Sequence, residues 1–130
     1  MTSLKASRDK LIVVAKKKKT TKPLVLVLDD DKQIVDLLVE FINQDGFAEA
    51  LGAYSIQGAY NLHRDFDLLV VDIYLNADRG DMFVKDYSRR HPSAKVMLIT
   101  ARNIPPGESA LRKPFHLETF MTRVKQALKG

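Results

Sequence analysis

The chain has 130 residues, 45% hydrophobic and 28% charged, with no cysteine and a formal net charge of +5. That length suits one domain with its own core, and the lack of cysteine excludes disulfides, thiolate metal sites and thiol nucleophiles and fits a reducing cytoplasm. The charge is unevenly spread: residues 1–22 hold eight Lys/Arg against Asp9, a net +7, whereas residues 23–130 hold thirteen against fifteen acidic residues, a net −2.

The basic leader, residues 1–22, contains one apolar run, Leu11 to Ala15, set between Lys10 and Lys16 to Lys19. Five residues are too few to cross a bilayer, and a signal peptide needs an apolar core of about 7–15 residues with a small-residue cleavage site, not a lysine block. The segment is expected to be a disordered, solubilising leader. Any contact it makes with nucleic acid would be sequence-independent and salt-sensitive.

From Pro23 onward the pattern changes. Leu24 to Leu28 is a continuous apolar run stopped by Asp29-Asp30-Asp31, as in a strand buried on both faces. Ile34, Leu37, Leu38, Phe41 and Ile42 recur at helical spacing before Gly46, which predicts an amphipathic helix with Asp31 suited to cap it. Phe47 to Leu51 is a weaker strand candidate, and Ser55 suits the cap of a short helix through His63. Leu68 to Val71 is a second buried run ending in Asp72; Asp81 precedes a helix closed by Pro92; Val96 to Ile99 is a further strand ending at Thr100. A fifth strand is expected over Ser109 to Arg112, and a last helix from Leu117 to Lys129.

Strands alternating with helices predict an α/β domain with a parallel sheet, whose ligands sit beyond the carboxyl ends of the strands. Asp29, Asp30, Asp72, Thr100 and Lys113 would therefore converge on one edge. Crowded carboxylates repel one another unless a cation sits among them. A hard divalent ion such as Mg²⁺ meets that need with oxygen ligands. A carboxylate beside such an ion can accept a phosphoryl group, whose oxygens then need donors: the ion, the Thr100 hydroxyl and the Lys113 ammonium.

These residues stand in four ordered motifs: VLVLDDD with Asp29 and Asp30, LLVVDIYLNADRG with Asp72 and Gly80, MLITA with Thr100 and Ala101, and KPF at Lys113 to Phe115. Together they resemble the receiver domain of two-component response regulators over roughly residues 23–129. The resemblance implies a flavodoxin-like doubly wound sheet of five parallel strands in order 2-1-3-4-5, and a cis bond between Lys113 and Pro114. It further implies Mg²⁺-dependent phosphorylation of Asp72 by a sensor histidine kinase or histidine phosphotransfer protein. The Mg²⁺ ligands would be Asp30, Asp72, the backbone carbonyl of Tyr74 and, through water, Asp29. On this reading the chain is a single-domain switch or relay without an effector domain and not a turnover enzyme. Its downstream partner is unidentified, and a homodimer stays open.

Three departures from the family pattern stand out. Asn76 replaces a usual proline, which is expected to loosen its loop without removing chemistry. Ala110 replaces the usual switch aromatic. Only eight residues, Ala101 to Glu108, join the fourth and fifth strands, and they include Pro105-Pro106-Gly107, so the helix expected there should be missing or reduced to a turn. An extended return is feasible, since a five-residue strand needs about 17 Å and eight extended residues reach about 26–29 Å. Two other readings remain. One is a degenerate receiver acting as an interaction module without phosphorylation switching. The other is a haloacid-dehalogenase-type phosphatase, which would want a second acid where Tyr74 stands. His63, His91 and His116 lack metal-ligand spacing and are expected to face solvent or cap helices.

Overall fold

The run Leu24–Leu28 forms β1, with all five residues buried. This computed structural model describes residues 22–130; the leader expected over residues 1–22 lies, apart from Lys22, outside the described residues. Asp31 caps α1 (Lys32–Asp45), accepting from the amides of Gln33 and Ile34. Replacing Asp31 with alanine is expected to cost about 1 kcal/mol in a urea melt. The helix ends at Gly46, whose φ of 88° is left-handed and lets its N–H reach the Ile42 carbonyl.

β2 (Glu49–Ala53) begins two residues later than the apolar pattern places it. Pairing decides its position: Glu49 lies opposite Leu24 and Ala53 opposite Leu28, and the Asn43 side chain clamps both backbone groups of Ala50. Phe47 packs half-buried against the α1 side of the core instead. Ser55 caps α2 (Ile56–Asn61) through the Gly58 amide, as its sequence predicts. The helix stops short of His63, which takes a positive φ of 52°.

Next come β3 (Leu68–Asp72), a small antiparallel hairpin of β4 (Tyr74–Leu75) and β5 (Asp78–Arg79), and α3 (Gly80–Arg90). That helix begins one residue before Asp81, whose carboxylate pairs with Arg79 at 2.7 Å. β6 (Lys95–Thr100), β7 (Ala110–Arg112) and α4 (Leu117–Lys129) complete the chain.

The five long-range strands form a sheet in order β2-β1-β3-β6-β7, with every neighbour parallel. Leaving out the hairpin, this is the expected 2-1-3-4-5 order. Alternate strand residues face opposite layers. Val25, Val27, Val70 and Ile99 pack with Leu38 and Ile42 of α1 and Phe120 and Val124 of α4. Leu26, Leu28, Leu69 and Val71 pack with Ala59 of α2 and Phe83 and Tyr87 of α3.

Residues 101–109, between β6 and β7, contain bends and turns but no helix. Pro105, Pro106 and the positive φ of 83° at Gly107 are the local reasons. The return is extended, as the length arithmetic allows. β7 is three residues long and pairs with β6, and Arg112 fastens it to the loop by donating to the Arg102 carbonyl at 2.9 Å. The Lys113–Pro114 bond is cis. Among the described residues no helix is long and apolar enough to cross a membrane.

Candidate functional site

The carboxyl ends of β1, β3, β6 and β7 deliver the predicted residues to one edge of the sheet. Asp29 and Asp30 follow β1, Asp72 ends β3, Thr100 ends β6 and Lys113 follows β7. Asp29, Asp72 and Thr100 are buried and Asp30 is half-buried. One carboxylate oxygen from each of Asp29, Asp30 and Asp72 falls within 4.8 Å of the others.

Lys113 bridges two members of this acidic group. Its Nζ donates to Asp29 Oδ2 at 2.6 Å and to Asp72 Oδ2 at 2.9 Å. Burial pushes the Asp29 carboxyl up from its ordinary 3.8 to about 6, against the downward pull of the Lys113 hydrogen bond and the Asp31 amide. Burial also works against the Lys113 charge, yet the hydrogen bonds to Asp29 and Asp72 outweigh it and hold the ammonium above its ordinary value. The lysine is thus a fixed positive charge between two carboxylates.

Thr100 Oγ1 accepts from the Arg102 amide at 2.9 Å. That bond anchors the oxygen and leaves the hydroxyl hydrogen available for donation. Asp72 Oδ1 accepts from the Tyr74 amide at 3.1 Å, so the residue two positions on is tied to the Asp72 carboxylate. The Tyr74 hydroxyl donates to the Asn103 carbonyl at 2.8 Å. Its ring lies against two guanidinium groups, Arg102 at 4.5 Å and Arg79 at 5.0 Å from the centroid. Tyr74 therefore joins the β4–β5 hairpin to the loop after β6.

Gly80 has a steric role. Its N–H donates to the Ile73 carbonyl at 2.7 Å, and a Cβ there would lie 1.9 Å from the Asp72 carbonyl oxygen and 2.6 Å from Val71 Cγ1. Only a residue without Cβ lets α3 start this close to the strand carrying Asp72.

The expectation that Asn76 loosens its loop is corrected. Asn76 occupies the turn of the β4–β5 hairpin with φ of 32°, and its backbone N–H donates to Asp30 Oδ2 at 2.8 Å. The loop is fastened to a carboxylate of the site. Ala110 sits half-buried in β7 opposite Leu98, so no ring occupies that position. The histidines stay outside the acidic group: His91 ends α3 stacked on Tyr87 at 4.1 Å, His116 precedes α4, and His63 follows α2.

Sequence reasoning missed Arg79, Arg102 and Asn103 as partners of Tyr74. The Leu-Asn-Ala-Asp stretch carries a usable signal for the hairpin, because asparagine tolerates the left-handed conformation that tight turns require.

The model of the response regulator receiver domain matches residues 25–125. The chain belongs to that family. Among curated relatives, the receiver is 25% identical over 114 residues to the transcriptional regulatory protein CpxR of Klebsiella pneumoniae, a match covering 81% of this chain and 49% of CpxR. The chain thus spans about half the length of the curated relatives it matches. Among solved structures, the non-phosphorylated HemR receiver domain from Leptospira biflexa superposes with a TM-score of 0.74 at 27% identity, covering 84% of this chain and 96% of that receiver domain. The response regulator TrrA from Thermotoga maritima, in complex with Mg²⁺ and beryllofluoride, gives 0.71 at 23% identity, covering 82% and 99%. The receiver fold predicted from the strand-end motifs is therefore the fold observed.

Proposed function

We propose that this receiver is a phosphorylation-dependent signalling switch. In this reading Asp72 accepts a phosphoryl group from a sensor histidine kinase or a histidine phosphotransfer protein, with Mg²⁺ as cofactor and residues 23–130 as the working unit. The observation that carries it is the Lys113 ammonium bonded to both Asp29 and Asp72, with Asp30 beside them.

An Asp72 carboxylate oxygen forms a bond to phosphorus as the donor's phosphorus–nitrogen bond breaks and its electron pair stays with the donor imidazole. Lys113 donates to one phosphoryl oxygen and the Thr100 hydroxyl to another, stabilising charge where it develops. Three carboxylates with oxygens this close suit a hard divalent ion. Asp30, Asp72 and the Tyr74 carbonyl would hold Mg²⁺, with Asp29 acting through water, and the ion would neutralise phosphoryl charge. TrrA, which shares this fold, is solved in complex with Mg²⁺ and beryllofluoride, which supports reading the acidic group as a Mg²⁺ site.

Incubation with Mg²⁺ and a small phosphodonor is expected to add about 80 Da, one phosphoryl group, seen by intact mass. Asp72→Ala should abolish the adduct. No adduct on the wild type, or one that persists in the variant, overturns the proposal.

Mg²⁺ affinity should depend on pH with a definite sign. Asp29 holds a proton up to about pH 6, and cation binding displaces it. Affinity is therefore expected to fall by about tenfold per unit below that pH and to level off above it. The cation-free fold behaves in the opposite sense. Because the folded pKa exceeds the ordinary 3.8, Asp29 favours the folded state in acid, and that contribution is lost as pH rises toward about 6. Calorimetric Mg²⁺ titrations and cation-free melts at a series of pH values check both halves.

Ala110 and the helix-free return between β6 and β7 favour a second reading, an interaction module that binds cation without switching. Beryllofluoride separates the two. A switch shifts the amide resonances of residues 100–113, whereas a static module leaves them in place.

A further inference from the structure

We infer that Asn76 is a positioning residue for the divalent cation, acting through Asp30. This rests on the reading of the acidic group as a cation site. Asn76 lies 46 positions from Asp30 in sequence, yet its backbone N–H donates to Asp30 Oδ2 at 2.8 Å. The hairpin makes the contact. Tyr74 pairs with Arg79 and Leu75 with Asp78, leaving Asn76 and Ala77 as a two-residue connection whose first member takes φ of 32°.

Proline cannot make this arrangement. Its ring fixes φ near −65° and it has no N–H. Asparagine tolerates the left-handed region at small cost, and the amide it presents is the one Asp30 uses. The loop is set at its other end by the Tyr74 amide, which donates to Asp72 Oδ1 at 3.1 Å. One short hairpin thus holds two of the three carboxylates, each through a single oxygen, and among the described residues the other oxygen of Asp30 accepts no hydrogen bond. A hydrogen bond behind a ligating carboxylate fixes its orientation before the ion arrives, and losing such a partner typically costs about 10–100-fold in metal affinity.

Two variants separate this role from mere turn formation. N76G keeps the N–H and adopts a positive φ freely, while N76P removes both. In Mg²⁺ titrations followed by amide shifts of residues 29–31, N76G should bind within about twofold of the wild type and N76P about tenfold more weakly. In an Asp30→Ala background, N76P should produce no further loss. If N76P does not fold, the cation-free protein still decides the matter. Asp30→Ala should speed hydrogen exchange at the Asn76 amide by about tenfold or more, the loss of its one acceptor. Wild-type affinity in N76P, an equal loss in N76G, or unchanged Asn76 exchange in Asp30→Ala each overturn the inference while leaving the cation site standing. A wild type that binds no Mg²⁺ overturns the cation site and the inference together.

Discussion

Replacing Gly80 with alanine is expected to lower stability by about 3 kcal/mol or more, because the added methyl meets backbone and the buried Val71 side chain, neither of which can swing away. The new Cβ would stand 1.9 Å from the Asp72 carbonyl oxygen and 3.0 Å from the Asp72 carbonyl carbon. Relief requires moving the start of α3 away from the end of β3. In a domain of this size that loss corresponds to a melting temperature lower by roughly 10–20 °C. The damage extends to the site, since the atoms displaced belong to the residue read as the phosphoacceptor. Any fraction of Gly80→Ala that folds should therefore take up phosphoryl more slowly than the wild type. Thermal melts and the mass-adduct time course test the two effects separately. An unchanged melting temperature would mean that the close approach of Gly80 to Asp72 is not a constraint on the fold.

The second large effect is expected from Lys113→Ala. Removing the ammonium leaves Asp29 and Asp72 facing each other without the cation that both now contact. Breaking a buried ion pair on one side typically costs about 3–5 kcal/mol. The present case should fall near the lower end, because Asp29 can take up a proton. Burial already raises Asp29, and without Lys113 the chief downward influence on it disappears. The variant should consequently be least destabilised in acid, and its deficit should grow as the pH rises through the elevated Asp29 value. Added Mg²⁺ should restore much of the lost stability and bind more tightly than to the wild type, since no ammonium competes for Asp29 and Asp72. Melts at a series of pH values, with and without Mg²⁺, give all of these signs. A variant equally unstable at every pH and indifferent to Mg²⁺ would show that Lys113 serves packing and not charge balance.

How much of this was legible in the sequence depends on whether a feature is written locally. β1 and β3 are unbroken apolar runs that stop at aspartate, so both their existence and the edge to which Asp29, Asp30 and Asp72 are carried can be read directly. The helix-free return to β7 was equally legible, from chain length and from Pro105-Pro106-Gly107. β2 was misplaced because Glu-Ala-Leu-Gly-Ala has little strand preference of its own; its limits come from pairing with β1 and from the Asn43 clamp. The β4–β5 hairpin escaped notice because two-residue strands have no period to detect. Asn76 was read as a loosening substitution because its partner, Asp30, is distant in sequence and the bond uses a backbone group that residue identity does not announce. Tyr74 offered only an aromatic side chain, with no sign that Arg79 and Arg102 would close on it.

The short length of β7 bears on how the charge balance of the site is held. Lys113 follows directly on a strand of three residues, joined to the sheet through β6 and to the preceding loop through Arg112. An edge strand this short is expected to open locally at a free energy below that of the whole domain. When it lifts, the lysine goes with it, and Asp29 and Asp72 are left to find a proton or a metal ion. The attachment of the outermost strand and the protonation of the acidic group are therefore linked equilibria, and anything that clamps β7 to the sheet also keeps the ammonium in place.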